Sequence, residues 1–193
     1  MKKIVCLTGG MGSGKSTVAQ LLVKEGFSVY NSDARAKWLM IQPPLRQQIE
    51  ELFGPSSYTN DGNLNRPFLS NQIFTQPEKK TALEDLVHPA VRSDFEDWLS
   101  TAKGGVVFKE SALTLELEDP YCHTVLVVEC PESIRIERIR RRNPSWSLAD
   151  IKARLANQFT DEQRRESGAV SVDNSGTLES LKTSLDQALT KCI

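Results

Sequence analysis

The sequence predicts an α/β fold: a five-stranded parallel sheet covered by helices, with a helical insertion after the second strand. Three observations predict it. Short apolar runs alternate with amphipathic stretches, the pattern of strands joined by crossover helices. A glycine cluster, GGMGSGKS, lies between the first apolar run and the first amphipathic stretch. Residues 34–103 read as mostly helical, unlike the rest of the chain.

The elements follow in order. Residues 4–7 form an apolar run suited to a strand buried on both faces. From residue 16 to residue 25, Val18, Leu21 and Leu22 share one helix face, and Gly26 stops that helix. FSVYNSD is the second strand. In the insertion, QQIEELF and KKTALEDLVHPAVRSDFEDWLS are amphipathic, with breaks at Pro43-Pro44 and GPSSYTNDGNLNRP. GGVVFKES and HTVLVVECP are the third and fourth strands, and Pro131 ends the latter. ESIRIERIRRRNP is a basic helix. SLADIKARLANQFTDEQRRES is a helix opened by a Ser147 cap. AVSVDNSG is the fifth strand, and TLESLKTSLDQALTKC closes the chain as an amphipathic helix.

The chain has 193 residues, 39% hydrophobic and 25% charged, which suits one globular domain with a sizeable core. A net charge of −1 supplies no global field for nucleic acid or an acidic membrane. Two lysines before an apolar run imitate a leader peptide, but the run is short and glycines follow at once. No stretch approaches a membrane span. Cys6, Cys122, Cys130 and Cys192 have no C-x-x-C spacing, and only His88 and His123 accompany them, so no zinc site is expected. The thiols read as reduced, Cys6 as a small core residue, and the setting as cytoplasmic.

The glycine cluster matches G-x-x-x-x-G-K-[ST] at Gly9, Gly14, Lys15 and Ser16. Glycines let a backbone curl so that successive N–H groups point inward at an anion. The helix that follows directs its positive end to the same point. Gly10, Met11, Gly12, Ser13, Gly14, Lys15, Ser16 and Thr17 are therefore candidate ATP contacts, with Lys15 on the phosphates and the Ser16 hydroxyl on Mg²⁺. In a parallel sheet the ligand lies beyond the carboxyl ends of the strands, which also gathers Asp33, Glu110 and the residues after Val128.

Two further features bear on chemistry. Asp33 follows the second strand, where a carboxylate can orient and deprotonate an acceptor hydroxyl; it equally suits a helix cap. On the basic helix, Arg135, Arg138 and Arg142 are spaced to share one face, with Ile136 and Ile139 on another. That face reads as a cationic lid for phosphoryl transfer, as a solvated surface, or as an RNA contact.

Taken together, these stretches resemble the dephospho-coenzyme A kinase family over nearly the whole chain. IVCLTGGMGSGKSTVAQLL resembles its opening. VYNSDARAKWL is similar to the stretch carrying its aspartate. DGNLNRPFLSNQIFTQPEKKTALEDLVHP resembles its coenzyme-binding insertion. VVFKESALTLE resembles its third strand and sequel, VECPESIRIERIRRRN its lid, and VDNSGTLESL its last strand and adenine-side loop.

The resemblance implies ATP-dependent, Mg²⁺-dependent phosphorylation of the ribose 3′-hydroxyl of dephospho-coenzyme A. It implies Asp33 as the base, Lys15 and the loop on ATP, Asn174 on the adenine side, and Arg138 and Arg142 acting from the lid. Arg66, Phe68 and His88 are implied on the coenzyme side. His88 also reads as a helix-start residue before Pro89, and Phe68 as core. Glu110, by its position beyond the third strand, is a candidate to hold a Mg²⁺-bound water.

Several positions depart from the family pattern. Asn31 stands for an aspartate, Lys37 for an arginine and Asn143 for an aspartate. The stretch around Ser111 replaces a proline-leucine-leucine run, and GAVSVDN lacks an acidic residue. The expected organisation is one kinase domain: a nucleotide-binding core at 1–33 and 104–193, a lid at about 132–160, and a coenzyme-binding insertion at 34–103. The rival readings are a nucleoside-monophosphate kinase, an RNA-binding module and a nucleotide switch. The expected partners are ATP and dephospho-coenzyme A, with neither nucleic acid nor membrane.

Overall fold

The computed structural model describes residues 2–193. Two compact units emerge: one runs through Tyr30 and resumes at Ala102–Ile193, and the other is Asn31–Thr101.

The first unit contains the sheet. Its strands are β1 (Lys3–Thr8), β2 (Ser28–Asn31), β3 (Val106–Glu110), β4 (Thr124–Glu129) and β5 (Val170–Asp173). They lie in the order β2-β3-β1-β4-β5, and β1 runs parallel to both β3 and β4. The central strand β1 therefore delivers its carboxyl end between two neighbours. Its helix α1 (Lys15–Lys24) buries Val18, Ala19, Leu21 and Leu22, and Gly26 ends it at a φ of +89°. The core joins that face to Val5, Leu7, Phe108, Leu126, Val128 and Val172, with Leu181 and Leu185 from the last helix. Phe27 meets Phe108 edge-on, ring centroids 5.1 Å apart.

The second unit is helical: α2 (Ser32–Leu39), α3 (Leu45–Phe53), a 3-10 turn at Pro55–Ser57, α4 (Arg66–Thr75) and α5 (Pro77–Thr101). Leu45, Ile49, Phe53, Tyr58 and Leu69 form its core. Arg35 and Asp94 join α2 to α5 by a bidentate ion pair. The helix α5 continues through Pro89, so His88 lies inside a long helix rather than at a helix start.

Returning to the first unit, α6 (Glu132–Arg142), α7 (Leu148–Ala156), α8 (Asp161–Glu166) and α9 (Leu178–Cys192) complete the chain. The stretch from 147 to 167 is two helices, not one. Ser147 opens α7 with a capping box to Asp150, as expected of its cap. Thr160 opens α8 with a second box to Gln163, and a helix start there interrupts the ladder.

The cysteine reading needs correction. Cys6 and Cys122 form a disulfide, with Cα atoms 5.5 Å apart, so these two thiols are not reduced. Cys122 lies just before β4, and β4 runs beside β1; this pairing brings together residues 116 apart in sequence. The same segment is tied to β1 a second time, since Ile4 N–H donates to His123 Nδ1 and His123 N–H to the Ile4 carbonyl. Cys130 and Cys192 are free and buried.

Candidate active site

The loop from Gly9 to Gly14 joins the carboxyl end of β1 to α1. Its inner surface is mostly backbone. Lys15 reaches back over it, Nζ donating to the carbonyls of Gly9 at 2.6 Å and Gly10 at 3.5 Å. An ammonium held on those carbonyls is already aimed into the cradle. Ser13 is buried, and its hydroxyl oxygen has no hydrogen-bond partner among the described residues. Ser16 and Thr17, in the first turn of α1, are exposed.

Helix α6 lies directly on this loop. At Gly12, with φ +82°, a Cβ would stand 2.8 Å from the Arg135 carbonyl and 3.0 Å from Ile139 Cγ1. Only glycine permits so close an approach. Arg138 is half-buried and donates to the carbonyls of Ser13 at 3.3 Å and Asn174 at 3.0 Å. Asn174 is buried, and its amide donates to the Ser13 carbonyl at 2.6 Å. Between them opens a pocket of about 270 Å³, lined by Gly14, Thr17, Gly176, Thr177 and Leu178 among others. Burial pushes the nearby Cys130 thiol up, while the Arg138 guanidinium pulls it the other way.

The arginine face differs from its expected form. Arg135 is buried together with Ile139, one turn apart, against the loop; Arg142 is exposed in the last turn of α6. One contact with the loop and three beside it were not expected from sequence spacing. Met11 N–H donates to Gln158 Oε1 at 2.8 Å. Arg135 and Arg164 both bond Asp161, at 2.8 and 3.2 Å. Phe159 N–H donates to Glu116 Oε1 at 3.1 Å. The only sequence hint was the charged run TDEQRRE, which places no residue near the loop until the strand order brings α8 there.

Glu110 ends β3 in register with Leu7 and is buried. Its neighbour Ser111 donates its N–H to the Leu7 carbonyl at 3.1 Å, so the β3 end is fastened beside the start of the loop.

In the helical unit, Asn31 is the residue that caps α2, its side chain accepting from Ala34 N–H at 2.7 Å. This leaves Asp33 in the first turn, exposed, with the cap role already filled. Arg66 begins α4 and is exposed; Phe68 packs partly buried on the helical core; His88 is exposed on α5.

A parallel sheet whose central strand feeds a glycine cradle, with an arginine helix resting on it, defines the class as a phosphate-loop protein of the small-molecule kinase type. The family model for dephospho-CoA kinase matches residues 3–180. A dephospho-CoA kinase from Deinococcus radiodurans is 38% identical over 95% of this chain and 89% of its own. One from Staphylococcus haemolyticus is 35% identical over 98% and 96%. A crystal structure of TT1252 from Thermus thermophilus superposes with a TM-score of 0.86 at 33% identity, covering 100% of this chain and 98% of that one. The chain belongs to the dephospho-CoA kinase family, and it is a kinase. No helix among the described residues is long and apolar enough to cross a membrane.

Proposed function

We propose that this kinase transfers the γ-phosphoryl group of ATP to the ribose 3′-hydroxyl of dephospho-coenzyme A, yielding coenzyme A, in the cytoplasm. Family membership over nearly the full chain, together with a formed phosphate cradle, supports the reading. The loop amides and Lys15 hold the β- and γ-phosphates. Gly14, Thr17 and Asn174 border the pocket that takes the adenosine end. Asp33 orients the acceptor hydroxyl and accepts its proton as the oxygen attacks in line. Arg66, Phe68 and His88 shape the coenzyme side, and Arg138 and Arg142 act from the lid.

The Ser16 hydroxyl and the Glu110 carboxylate are hard oxygen donors, the kind that Mg²⁺ takes; Ser16 would hold it directly and Glu110 through water. When bound there, Mg²⁺ would neutralise charge on the phosphate oxygens.

The cytoplasmic setting is supported by the two small-molecule substrates; the Cys6–Cys122 bond removes the support once drawn from reduced thiols. An acceptor panel with ATP and Mg²⁺, scored by mass spectrometry for one added phosphoryl group, tests the reaction. Dephospho-coenzyme A should be the acceptor that gains it. Phosphorylation of a nucleoside monophosphate in its place, or of nothing, overturns the reading.

A further inference from the structure

Arg135 and Arg164 are among the most buried charged residues described, at 5% and 3% exposure. They come from different helices and converge on the same stretch of loop. A Cβ built on Gly10 would collide with Arg135 Nη1 and lie 3.4 Å from Arg164 Nη1. Between them they share one carboxylate: Arg135 Nη2 donates to Asp161 Oδ2, Arg164 Nη1 to Asp161 Oδ1. Glu116 is the second acid, but its Oε1 already accepts from Phe159 N–H and stands 4.0 Å from Arg164 Nη2, too far for a hydrogen bond.

A purely structural arginine pair would have its donors filled, because buried polar groups are nearly always bonded. Here Arg135 Nε and Arg164 Nη2 have no hydrogen-bond partner among the described residues. Burial pulls Arg164 below the ordinary arginine range, and Glu116 and Asp161 only partly oppose it. An oxyanion arriving at Gly10 would meet the two Nη1 atoms that face it and add the missing negative charge. The Gln158 bond to Met11 N–H fastens the α7–α8 turn to the loop itself, one residue from Gly10, where the pair converges.

We propose that Arg135 and Arg164 form a second cationic clamp that takes the terminal phosphoryl group of the donor nucleotide, with Asp161 as the positioning residue that holds both guanidinium groups over Gly10. The clamp rests on the kinase reading above; it adds Arg164, which sequence spacing did not assign, and moves Arg135 from the lid face to the loop.

Calorimetric titration of the full chain with ATP and with ADP, with Mg²⁺ and no acceptor, reads the clamp without reading turnover. Arg164→Gln should weaken ATP by about 10- to 100-fold, the loss of a charge-assisted bond, and ADP by less than about threefold. An equal loss for both nucleotides marks a structural role and overturns the clamp, as does no loss. Arg164→Gln removes a buried cation beside Asp161 and Glu116, so Arg164→Lys and Asp161→Asn supply the same ratio if it does not fold. Lys keeps the charge and loses the fork; Asn keeps the shape and loses the charge. Each should shrink the preference for ATP over ADP by less than Arg164→Gln does. An unchanged preference in both sinks the proposal. If wild type fails to phosphorylate dephospho-coenzyme A while the ratio still responds, the function reading falls and the clamp stands.

Discussion

The two compact units expose their candidate site residues to different degrees. Around the phosphate loop, buried and half-buried charged and amide side chains are bonded across long stretches of chain: Arg138 and Asn174 on the Ser13 carbonyl, Gln158 on Met11, Arg135 on Asp161. In the helical unit, Asp33, Arg66 and His88 are exposed. The difference teaches what each end of the proposed reaction would demand. Stabilising a phosphate's charge needs donors fixed beforehand in a poorly hydrated place, since reorienting them during transfer would raise the barrier. In the proposed reaction the acceptor hydroxyl needs only one carboxylate to meet it, which an exposed Asp33 would supply.

Breaking the bond that fastens the loop-side unit should have the largest effect. Opening Cys6–Cys122 by Cys122→Ala releases a closed loop of 116-residue separation. Loops on the order of 100 residues correspond to about 4–5 kcal/mol in the chain-entropy account. Urea unfolding of wild type and variant should differ by most of that; coincident curves would show that the bond contributes nothing. Next comes the open side. Asp33→Asn should lower kcat by on the order of 10³-fold with ATP affinity unchanged, the effect of losing a general base. Near-normal turnover in a coupled ADP-release assay removes Asp33 from that role. Lys15→Ala should weaken ATP by about 10- to 100-fold in calorimetry, since one charge-assisted contact is lost. Equal affinities would reject Lys15 as a phosphate ligand.

The smallest effect belongs to the helical core and sharpens the contrast. Tyr58 is buried there, its hydroxyl donating to the Met40 carbonyl at 2.5 Å. Burial raises its pKa to about 12, with Arg46 opposing. The neutral phenol is the form the fold favours, so its stabilisation is fully present below pH 10 and fades as pH rises toward 12. Tyr58→Phe should flatten the stability profile across that window, measured by circular dichroism during urea unfolding. An unaltered profile would assign the alkaline loss to other groups.

Much of the molecule was legible in one dimension because its cause is local. The cradle is contiguous, from Gly9 to Ser16, and its chemistry follows from glycine freedom, one lysine and a helix start. The strands showed as short apolar runs because a sheet covered on both faces needs them. The Ser147 cap was local too, and it formed as expected. Asn31 was noticed as an unusual residue, yet its job was missed: it takes the cap and leaves Asp33 to other uses.

What the chain alone determined, then, was the alternation that makes a parallel sheet and the loop that makes a phosphate cradle, since each is written in neighbours. Only the tertiary structure decided that Cys6 finds Cys122, that Arg135 turns inward with Ile139, and that Gln158, Asp161 and Arg164 stand over a loop roughly 150 positions earlier. The reason is geometric. Placing β4 beside β1, with β5 next to it, brings distant segments to one strand end, and no spacing along the chain encodes that meeting.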